Sequence, residues 1–67
     1  MEEKSELGMA IETLEDEVKG IEEYKEMLTY VKCPELRKIF TEALADEKKH
    51  VNAILRWINA RTQQMIA

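Results

Sequence analysis

Tyr30-Val31-Lys32-Cys33-Pro34-Glu35-Leu36 is the one strong interruption in this 67-residue chain. A proline would break a helix that tried to continue through it, yet it suits the first position of a new one. Glu35 follows at the positive end of that helix's dipole. The stretch therefore predicts a helix over about 3–31, a tight turn at 32–34 and a second helix over about 34–64. Gly8 and Gly20 weaken the first helix without ending it. The expected fold is all-α: an antiparallel two-helix hairpin, one unit spanning 1–67, with no linker and no second domain.

Outward from the turn, apolar residues recur at helical spacing. Leu7, Ala10, Ile11, Leu14, Val18, Ile21, Tyr24, Leu28 and Val31 form one broad stripe, and Leu36, Ile39, Phe40, Ala43, Leu44, Val51, Ile54, Leu55, Trp57 and Ile58 form another. A lone hairpin would leave much of both stripes in water. A 7.9 kDa chain buries little surface on its own, and one cysteine, Cys33, excludes an internal disulfide or a four-cysteine zinc site. Two glycines and one proline exclude a turn-rich β-fold. The remedy is a second copy: two hairpins pairing into a dimeric four-helix bundle, alone or within a larger oligomer of dimers.

Charge narrows the partners. The net charge is −4, with ten acids against three bases between Glu2 and Glu26 and four acids against six bases between Glu35 and Arg61. That balance is poor for gripping phosphates, so no nucleic acid is expected. No apolar run approaches the length of a membrane span, and Met1–Glu6 lacks the shape of a signal peptide, so the expected setting is cytoplasmic and no membrane partner is expected.

Three polar residues interrupt the stripes. Glu17 sits among Ala10, Leu14, Ile21 and Tyr24; Glu47 sits among Phe40, Ala43, Val51 and Ile54, and His50 follows one turn later. Glu17 lies sixteen residues before Cys33, while Glu47 and His50 lie fourteen and seventeen after it. At about 1.5 Å of rise per residue, an antiparallel pair brings all three to one level. Burying a carboxylate without compensation costs several kcal/mol. Two copies would gather four carboxylates and two imidazoles, which suit iron or manganese better than structural zinc. The bland reading is that Glu47 and His50 are only a surface i,i+3 pair, worth a few tenths of a kcal/mol. Glu-x-x-His is a common pattern in a chain with fourteen acids; its placement on the apolar stripe, opposite Glu17, is what raises it above the common.

Glu17-x6-Tyr24, then Pro34-Glu35-Leu36, then Glu47-x-x-His50 together resemble half of a rubrerythrin-type bundle, and closely resemble the two-helix core of the encapsulated ferritins. That resemblance implies a ferritin-like four-helix bundle with two irons per dimer at a site shared between subunits. Glu47 would bridge the metals, Glu17 and His50 would be terminal ligands, and Tyr24 would hydrogen-bond around them. The implied activity is oxidation of Fe(II) by dioxygen or peroxide, in iron storage or detoxification, with manganese the alternative metal. A shell protein is an implied partner, and a protein compartment an implied location. Yet Thr62–Ala67 carries no recognisable targeting tail, and nothing in the chain matches the four-cysteine domain of full rubrerythrins. Two other readings compete: a rubrerythrin-like peroxide-reducing di-iron protein, and a metal-free helical interaction module whose polar residues set register.

Overall fold

Ser5 starts the first helix. Its backbone is extended, and its hydroxyl accepts a hydrogen bond of 2.9 Å from the Gly8 amide, satisfying one of the first turn's unpaired donors. The computed structural model describes residues 5–66, with side chains through residue 63. Two helices account for them: α1, Glu6–Tyr30, and α2, Pro34–Ile66. The first thus begins later than periodicity suggests, because Ser5 caps it. Residues 3 and 4 of the expected helix, and most of the Met1–Glu6 stretch used to judge a leader, lie outside the described residues. The second helix runs two residues past its expected end. No helix among the described residues is long and apolar enough to cross a membrane.

The connection is Val31-Lys32-Cys33, made without any left-handed residue. Val31 is extended, and its amide still reaches the Met27 carbonyl at 3.0 Å. The Cys33 carbonyl accepts the first bond of α2, from the Arg37 amide at 2.9 Å. Arg37 also does what no sequence pattern announced. Its guanidinium donates to the Leu28 carbonyl at 2.6 Å and to the Val31 carbonyl at 2.7 Å. These are carbonyls that the end of α1 leaves without helical partners, and the positive charge sits at the negative end of that helix's dipole. The side chain thereby ties the start of α2 to the end of α1. Replacing Arg37 with methionine is expected to cost about 1 kcal/mol, or roughly 4–8 °C in the unfolding midpoint. Thermal unfolding followed by circular dichroism checks this, and an unchanged midpoint would show the clamp to be idle.

Beyond the turn the helices run antiparallel. Tyr24 meets Phe40 with ring centroids 5.7 Å apart. Gly20 lies opposite Glu47, and Glu17 opposite His50. Leu14, Ile21 and Leu28 of α1 and Leu44, Val51 and Ile54 of α2 are half-buried along this seam. No described residue is fully buried. The molecule measures 50 × 30 × 14 Å, barely one helix diameter thick, and its radius of gyration is 15.6 Å. A compact chain of this length would have about 11 Å. Exposed apolar side chains include Met9, Ile11, Val18, Leu36, Ile39 and Leu55. Near the far end of α2, the Arg61 guanidinium lies 4.8 Å from the centre of the Trp57 ring.

Candidate metal centre

Midway along the seam the two helices bring Glu17, Glu47 and His50 together. Glu17 projects from α1 toward α2 because it shares a face with Leu14, Ile21 and Tyr24, and its side chain is 21% exposed. Its Oε2 is buried and has no hydrogen-bond partner. His50 Nδ1 stands 3.5 Å away, too long for a good hydrogen bond. Glu47 is half-buried at the centre of the α2 stripe, with its carboxylate against the bare Cα of Gly20. His50 is the outlier. It stays 61% exposed, at the rim of the face rather than inside it.

The electrostatics follow from this placement. A hydrogen bond with Glu17 raises the Glu47 pKa above the ordinary carboxylate value, because two carboxyls can share it only if one is protonated. Partial desolvation and the charges of Glu17 and Asp46 push the same way, while His50 opposes them. A group with a raised folded-state pKa binds more protons folded than unfolded. Its contribution is therefore complete below the unfolded Glu value, about 4.3, and is lost as pH rises through the folded one. Glu47→Gln should then leave the metal-free protein at least as stable as the wild type at neutral pH. The gap in melting temperature between the two should widen as pH climbs through that window. A pH series of thermal melts on metal-free protein tests this, and a constant gap would contradict it.

Two carboxylates and an imidazole at one level, one oxygen buried and unpaired, form a donor set that fits a divalent cation such as Fe(II) or Mn(II). Within one chain the set is incomplete: among the described residues no three of His, Cys, Asp and Glu are arranged to hold a metal by themselves. Tyr24 lies near enough in sequence to share the face, but its ring is engaged with Phe40. Cys33 is exposed at the turn, far along the hairpin from His50. Gly20 was visible to sequence reasoning only as a weak point in a helix, although its position three after Glu17 already put it on the inner face.

The EncFtn-like family model matches residues 1–66. The chain belongs to the EncFtn-like family. No curated protein and no solved structure matches it. Membership in the EncFtn-like family agrees with the all-helical structure and with the encapsulated-ferritin resemblance of the sequence.

Proposed function

We propose that two copies of this EncFtn-like chain pair stripe to stripe into a ferritin-like four-helix bundle, and that their combined Glu17, Glu47 and His50 hold two irons at which Fe(II) is oxidised. The observation that carries this reading is the buried, unpartnered Oε2 of Glu17, beside a second carboxylate and an imidazole. An apolar seam does not retain such an oxygen cheaply, and a cation would satisfy it. Surface area supports the pairing. The hairpin exposes 5660 Å², against about 4,400 Å² for a compact monomer of its mass. Covering that excess on each of two chains would make an interface of the obligate class, roughly 2,000 Å² or more.

Each residue has a distinct task at such a site. Glu17 offers an oxygen that no protein donor competes for. Glu47, beside Glu17, would be the carboxylate shared between two cations, as the encapsulated-ferritin resemblance implies. Its raised pKa lets protons compete with metal for this carboxylate as pH falls, so metal uptake should weaken in that direction. His50 supplies a nitrogen from the solvent-facing rim, where the second copy would enclose it. Bound iron supplies the one-electron chemistry, with dioxygen or peroxide as the electron acceptor. A layer 14 Å thick with no enclosed cavity among the described residues cannot contain a mineral. Storage would depend on a cage built by another protein, and EncFtn-like membership supports a shell in that role.

Native mass spectrometry during an anaerobic Fe(II) titration tests the reading. Saturation at two irons per dimer, followed by oxidation on admitting dioxygen or peroxide, is the expected result. A dimer that stays bare at excess Fe(II) would overturn it and leave the three polar residues as register devices.

A further inference from the structure

Gly20 is glycine for no conformational reason. It lies inside α1, no described glycine has a positive φ, and alanine would suit the helix better. What distinguishes the position is the space in front of it. A Cβ added there would stand 3.2 Å from Oε2, 3.4 Å from Cδ and 3.7 Å from Oε1 of Glu47, so a methyl would crowd the carboxylate by a few tenths of an ångström. The contact spans the two helices and reaches all three atoms of the carboxylate group. Gly8 differs: the atom in front of it is its own N-cap hydroxyl, Ser5 Oγ at 3.1 Å, and the cap explains it. We infer that Gly20 is a positioning residue for the metal centre, whose bare Cα lets the Glu47 carboxylate lie against α1 at the level of Glu17 and His50. It touches no metal and acts only through Glu47. The inference rests on the proposed metal site and goes beyond it by naming what sets the place of the shared carboxylate.

Steric logic gives the test two readouts of opposite sign. A methyl at position 20 raises helix propensity, so metal-free Gly20→Ala should melt several degrees above the wild type. The same methyl pushes the Glu47 carboxylate away by a few tenths of an ångström, and disturbing a residue that orients a ligand typically weakens metal binding about 10- to 100-fold. Mn(II) is the probe, titrated without oxidant and followed by electron paramagnetic resonance, with thermal melts of the metal-free protein alongside. The expected result is a higher melting temperature together with Mn(II) binding weakened at least about tenfold. Unchanged Mn(II) affinity would overturn the inference, because the glycine would then be a helix defect and nothing more. A lower melting temperature with weaker binding would overturn it too, since the methyl would be displacing the helix rather than the carboxylate. Glu47→Ala, run beside it, separates the two layers of argument. If that variant binds Mn(II) as the wild type does, the metal reading fails and the role of Gly20 falls with it. If it loses Mn(II) while Gly20→Ala keeps it, only the role of Gly20 fails.

Discussion

Glu47→Ala is expected to lose iron altogether: no Fe(II) retained in an anaerobic titration that loads the wild type with two per dimer, and oxidation no faster than in buffer. The argument rests on position. Glu47 lies beside Glu17 and feels the charges of both Glu17 and His50. Removing it takes a carboxylate from each chain, two of the four available to the proposed paired site, and in that proposal those two would be shared between the cations. Stability gives an independent reading. A ligand at 100 times its dissociation constant stabilises the folded state by about 2.7 kcal/mol. Wild-type protein should therefore melt higher with Fe(II) than with chelator, while Glu47→Ala should melt at one temperature in both. Without metal, the variant should be no less stable than the wild type, because alanine relieves the repulsion with Glu17 and improves helix propensity. A variant that still loaded two irons per dimer would show that Glu47 is not a ligand.

The hairpin was legible because its causes are local. Pro34 breaks one helix and opens the next, and a constant rise per residue then fixes which parts of the two helices meet. That is why Glu17 could be set level with Glu47 and His50 from counting alone, and why the structure brings Glu17 Oε2 and His50 Nδ1 to 3.5 Å. What periodicity assigns, however, is a face and not a distance. It put His50 inside the apolar face, but three residues beyond Glu47 is also around the helix by most of a turn, and the imidazole ends 61% exposed at the rim. It gave Tyr24 a face and a neighbourhood without foreseeing that Phe40 would engage the ring. The Arg37 clamp escaped because it depends on two carbonyls, of Leu28 and Val31, that become available only once α1 has ended. The space at Gly20 escaped because it belongs to the pair of helices and to neither sequence segment alone.

Pairing carries the second large effect. Ile11 and Val18 are 43% and 44% exposed in the hairpin. Seven residues apart, they lie on one flank of α1, beside the half-buried seam rather than within it. The described residues leave them this exposed, and a second layer of helices would cover them. Ile11→Asp/Val18→Asp is therefore expected to dissociate the metal-loaded dimer. If covering each of these side chains contributes about 1 kcal/mol, four per dimer amount to about 4 kcal/mol. That is a weakening of roughly three orders of magnitude, before the cost of bringing four carboxylates into an apolar interface. The separated hairpins should also lose helicity, since with no fully buried residue among those described there is little to hold a lone hairpin folded. Lys19→Asp is the control. It changes the charge of each chain by the same two units, from the exposed far side of α1, and should leave the dimer and its melting temperature nearly unchanged. Sedimentation and circular dichroism on Fe(II)-loaded, oxygen-free samples read both quantities. A double variant that sedimented and melted like the wild type would mean that the flank of α1 faces water in the assembly. The metal site would then have to be completed across the other edge of the hairpin, the one that carries Ile39 and His50.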